Sequence, residues 1–151
     1  MKKTVAVSVL LLLLGVLVAP IGAHHSFAMY DQTKTVTLTG VLTRFVAQAN
    51  HAEIHFVPLG PDGKPLRGPD GKPITWGVEM AGAAAVATQG ITVNSFPAGT
   101  IFSVRLNPLR DGTNFGSRVG ALAKCPKGKV PEAGKHCDAV EGSEILGGAS
   151  F

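Results

Sequence analysis

The sequence predicts a mainly β protein, a small five-stranded barrel with one short helix between its third and fourth strands. Two observations predict it. Apolar and polar residues alternate in five short segments, the period of a half-buried strand, and Gly-, Pro- and Asp-rich turns separate most of them. A single Ala-rich stretch interrupts the series after the third segment.

The chain opens on Lys2 and Lys3, followed by an apolar run from Val5 to Val18 and the tail Ala19-Pro20-Ile21-Gly22-Ala23. A positive start, an apolar middle and a small residue at the end define a signal peptide over residues 1–23. Cleavage after Ala23 makes His24 the new N-terminus, with His25 beside it. The run is about 14 residues, and a membrane span needs about 20. No Cys at the cut offers a lipid anchor. The expected product is periplasmic or secreted, with no stable membrane anchor after cleavage.

Residues 24–34 form a short arm. Thr35 to Val46 alternates as a strand, with Val36 and Leu38 on one face. After Gly40 the apolar phase moves to Val41 and Phe45, which predicts a bulge at the glycine. His51 to Val57 is the second strand, with Ile54 and Phe56 inward. Gly60-Pro61-Asp62-Gly63-Lys64-Pro65 then recurs as Gly68-Pro69-Asp70-Gly71-Lys72-Pro73. Pro-Asp-Gly is turn chemistry, so the repeat predicts a solvated, extended hairpin tip. Ile74 to Met80 returns with Trp76, Val78 and Met80 on one face. Ala81 to Gln89 reads as a helix with Gly90 as its C-cap. Ser95 to Gly99 turns the chain. Ile101 to Leu106 and Ser117 to Ala123 are strands four and five, with Asp111-Gly112 turning between them. An edge strand is expected around Ile145-Leu146. Three strands, a helix and two strands is the element order of the OB-fold, a five-stranded Greek-key barrel. A β-sandwich with a crossover helix is the alternative. The barrel domain is assigned to residues 35–124 and a tail to residues 125–151.

Lys2 and Lys3 supply two of the four net positive charges. The mature chain is therefore only weakly basic, and with export this argues against nucleic-acid binding. Cys125 and Cys137 are separated by eleven residues. In an oxidising compartment such a pair is expected to form a disulfide that closes the tail. A redox site would more often show C-x-x-C spacing. His136 beside Cys137 leaves a metal reading open.

His51, Glu53 and His55 alternate, so a strand projects all three from one face. If His55 pairs with Gly77, Glu53 falls opposite Glu79 on that same outward face. A one-residue slip would send Glu79 to the other side. Imidazole nitrogens suit copper, zinc or nickel, and carboxylates can complete the shell. The terminal amine and ring of His24, with His25, add nitrogen donors of the kind that favour copper(II). The candidate metal ligands are therefore His24, His25, His51, His55, Glu53 and Glu79. Ordinary exposed strand residues and ion-pair partners are the competing reading. There is no G-x-S-x-G, no Cys–His pair with a base outside the disulfide and no phosphate loop. No enzyme is expected, a metal-dependent hydrolase being the rival. Arg110 reads as a solvated turn residue.

The residues now assembled resemble a family of bacterial secreted proteins, the domain of unknown function 6152 family. The likeness rests on His24-His25-Ser26-Phe27, Thr37-Leu38-Thr39-Gly40, the strand with His51, Trp76-Gly77-Val78-Glu79-Met80, Gly99 and Pro108-Leu109-Arg110-Asp111-Gly112. It spans roughly residues 24–123. Where the family shows Asn-Pro-His before the second strand, this chain has Ala49-Asn50-His51. The resemblance implies export and a small β-rich domain, and no activity. The chain is thus expected to be an exported binding module capturing a metal ion, copper favoured over zinc, or a small ligand through surface histidines. The alternative is a structural or interaction protein of the bacterial envelope, with another envelope protein as partner.

Overall fold

The computed structural model describes residues 27–151. The signal peptide, its cleavage at Ala23–His24, and His25 lie outside the described residues. Among the described residues six strands form, in order β1 (Val36–Val46), β2 (Glu53–Pro58), β3 (Trp76–Glu79), β4 (Ile101–Pro108), β5 (Phe115–Lys124) and β6 (Glu144–Leu146). One helix, α1 (Ala83–Ala87), lies between β3 and β4. It is shorter than the 81–89 stretch its alanines predict. The chain then reverses at Gly90, whose φ of 79° only glycine adopts without strain.

Strand β1 pairs antiparallel with both β2 and β4, β2 with β3, and β4 with β5. Parallel pairing of β3 with β5 closes the ring. This is the closed, OB-like five-stranded barrel that the element order predicts. Strand β6 adds to the far half of β5, near the predicted edge strand.

The barrel interior is filled by Leu42, Ile54, Phe56, Val78, Phe102, Val104, Leu106 and Leu122, with Val86 of α1, Ile91 and Phe96 covering one end. Phe102 meets Phe56 edge-on at 5.1 Å and Phe96 at 5.8 Å. Such pairs add to the plain gain from burial.

The predicted bulge at Gly40 is corrected. Gly40 is in register with Pro58 on one side and Phe102 on the other. The break lies between Leu42 and Arg44, with Thr43 as the extra residue. Thr43 is exposed, and its hydroxyl donates to the His55 carbonyl at 2.9 Å, a bond made by the bulged residue's own side chain. Leu42, not Val41, therefore faces inward, and Phe45 regains the core after the bulge. Gly40 has another task. A Cβ there would enter the Phe56 ring and come within 2.7 Å of the Val57 carbonyl oxygen. The missing side chain makes room for the central aromatic cluster.

The repeat between β2 and β3 forms the two turns in series that its Pro-Asp-Gly motifs predict. Gly63 N–H donates to the Gly60 carbonyl and Gly71 N–H to the Gly68 carbonyl, each at 2.9 Å. Asp62 and Asp70 accept from the Lys64 and Lys72 amides at 3.1 and 3.0 Å. The first turn folds the chain back so that Leu66 N–H reaches the Pro58 carbonyl. The second returns it to β3.

The tail forms a second layer over the outer face of β1, β4 and β5. The Cys125–Cys137 disulfide is formed, and it packs with Ala123, Ile101, Val140 and Phe151.

Candidate functional site

The outer face of β2 and β3 has the register on which the sequence argument depended. Glu53 is opposite Glu79 and His55 opposite Gly77. His51 lies just before β2 and joins the same patch. Two carboxylates directly opposed on neighbouring strands repel. Here each meets its own imidazole. His51 Nδ1 lies 3.2 Å from Glu79 Oε1, and His55 Nε2 lies 3.0 Å from Glu53 Oε2. The His51 side chain is 41% exposed and Glu79 19%, so the imidazole forms the wet side of that pair.

Arg44 on β1 lies 3.3 Å from the same His55 Nε2. One ring nitrogen cannot donate to Glu53 and accept from Arg44 at once. The shorter, carboxylate contact takes the proton, and Arg44 adds positive charge on the β1 side. Gly77 shapes the floor, because a Cβ there would fall inside the Phe115 ring of β5. His51, Glu53, His55 and Glu79 are thus brought onto one face as two pairs. Among the described residues, no three His, Cys, Asp or Glu side chains converge to hold a metal ion.

The sequence argument did not include Tyr30. The arm runs antiparallel to the β4–β5 connection, with Asp31 N–H donating to the Pro108 carbonyl and Arg110 N–H to the Met29 carbonyl. Arg110 also donates from Nε to the Ala28 carbonyl and sits 3.8 Å from Asp31. It is an arm clamp, not a free turn residue. This docking buries Tyr30 to 2% exposure and hydrogen-bonds its side chain to Glu79. Burial, then the negative charge of Glu79 and its hydrogen bond, raise the phenol well above its ordinary value. A sole tyrosine beside a histidine-rich start was the only available signal.

Tyr30 gives a direct test, because it is the only tyrosine in the chain. Phenolate absorbance near 295 nm reports it alone. The phenolate is expected only well above pH 10, the ordinary tyrosine value. The unfolded chain releases this proton near pH 10 while the folded chain keeps it. Stability is therefore full below pH 10 and falls as pH rises past it. Titration at the ordinary pH would show a hydroxyl open to water.

The fold and this face define the chain as a small closed β-barrel module with a histidine–carboxylate patch on its β2–β3 surface. Residues 13–118 match the model described as Family of unknown function (DUF6152), and the chain belongs to that family. The matched span ends within β5, before Cys125 and the tail. No curated protein and no solved structure matches the chain.

Proposed function

We propose that the chain is an exported, non-catalytic binding module that captures a metal ion, copper favoured over zinc, at the β2–β3 face. The observation that carries this is the direct opposition of Glu53 and Glu79, each compensated by an imidazole at about 3 Å. An arriving cation would take over the compensation that the imidazoles now provide. Carboxylate and neutral imidazole both become metal ligands once the shared proton leaves. The remaining donors would come from the amine and rings of His24 and His25. Residues 26–29 separate His25 from Tyr30, whose side chain bonds Glu79. Five residue steps span at most about 18 Å when extended, so the chain length between His25 and Tyr30 would allow His25 to contribute a donor there. The disulfide is compatible with a periplasmic or secreted location. Among the described residues, no helix is long and apolar enough to cross a membrane.

The test is a copper(II) and zinc(II) titration of the chain starting at His24, by calorimetry, with spin resonance for copper. One-to-one copper binding is expected, weakened at least about tenfold by His51→Ala with His55→Ala, and likewise by one extra residue before His24. Affinity no better than that of a free His-His-terminated peptide would overturn the proposal and favour a protein-docking role for the face.

A further inference from the structure

Two segments outside the closed ring, the repeated turns after β2 and the disulfide-closed tail, meet over the outer face of β1. Between them lies a cavity of about 210 Å³. Its walls include Leu59, Pro61, Val130 and Pro131, and Thr39 and His136 supply polar groups. We propose that this cavity is a binding site for a small monocarboxylate with an apolar body, separate from the β2–β3 face.

The polar groups are wired in series. Cys137 N–H donates to the Ser103 hydroxyl at 2.8 Å. Ser103 Oγ lies 2.6 Å from Thr39 Oγ1, which lies 2.8 Å from His136 Nδ1. Ser103 is fully buried, so its proton needs an acceptor. Running the chain from Ser103 to Thr39 to His136 uses every hydroxyl proton. His136 Nδ1 is then the acceptor, and Nε2 carries the ring proton. The ring that lines the cavity is fixed as a hydrogen-bond donor. It shares the lining with apolar residues, the combination that small-molecule sites use. A volume below the roughly 300 Å³ of the smallest drug-sized pockets calls for a small ligand.

The rim sets the charge. Lys135 and Glu132 both line it. Lys135 supplies a cation for a carboxylate, and Glu132 on the same rim offsets most of its field, so the extra charge of a phosphate dianion gains little and costs more desolvation. Val130, 45% exposed, adds an apolar surface beside these charges.

Benzoate is the probe, titrated into the disulfide-intact chain and followed by amide and histidine-ring resonances. Benzyl alcohol serves as the uncharged analogue and inorganic phosphate as the dianion. Saturable shifts at Val130, Lys135 and His136 are expected with benzoate, with the other two binding at least about tenfold more weakly. His136→Phe keeps the ring volume, removes the donor and is expected to weaken benzoate about tenfold. Lys135→Ala, at an exposed position, is expected to weaken it severalfold and serves if the first variant fails to fold. Equal binding of benzoate and benzyl alcohol, unchanged affinity in both variants, or no saturable shift would overturn the proposal.

Discussion

Phe102→Ala is expected to destabilise the protein by about 4 kcal/mol, the range found for deleting a fully buried phenylalanine. Phe102 is completely buried and holds two edge-on contacts, with Phe56 from β2 and Phe96 from the loop after α1. Truncation opens a void where a strand pair and the end plug converge, and neither ring can follow without dragging backbone. Since domains of this size have about 5–15 kcal/mol in all, a large share of the margin goes. The expected midpoint drop in a thermal melt is about 15 °C. Trp76, the sole tryptophan, packs against the same core and reports urea unfolding by fluorescence. The transition should move to lower urea with its slope unchanged. A loss under about 1 kcal/mol would show that the core collapses around the gap.

Gly40→Val is expected to cost on the order of 3 kcal/mol, by the opposite mechanism. The new side chain would enter the Phe56 ring and press on the Val57 carbonyl. The ring could rotate only against Phe102, and the carbonyl belongs to paired β2. Gly40→Ala is expected to show a smaller loss of the same kind. The two together test the steric account by urea midpoints, since backbone entropy alone would favour both variants over glycine. Unchanged midpoints would mean the strands separate without penalty.

Much of the barrel was legible because its strands alternate cleanly. The alternation of Ile54 and Phe56 with Trp76 and Val78 marks both strands, while the His55–Gly77 pairing that sets Glu53 across from Glu79 was only one of the registers the sequence allowed. The bulge was misplaced because Gly40 carries two signals at once. A glycine at a phase change reads as a backbone irregularity, yet here it answers to a ring from another strand. The true bulge residue, Thr43, looks ordinary in sequence, since its hydroxyl bond to His55 exists only after pairing. The same holds for Tyr30 and Glu79, and for Thr39, Ser103 and His136. Each joins residues distant in sequence, and no local period announces them. The Pro-Asp-Gly repeat announced its turns correctly, but not that the first would fold the chain back against the tail.

Closure by β3 and β5 also governs how copies of this protein meet one another. An open sheet presents a row of unpaired backbone groups that recruits strands from its neighbours. Strands β1 to β5 form a ring with no such row along the β3–β5 seam. The outer strand that remains, β6, is three residues long, and its first residue, Glu144, is charged and tied to Lys124 at 3.1 Å. Shortness and charge are the devices by which natural sheets discourage edge-to-edge growth. The closure of β3 on β5 thus also limits fibrillar self-association of the barrel at high concentration.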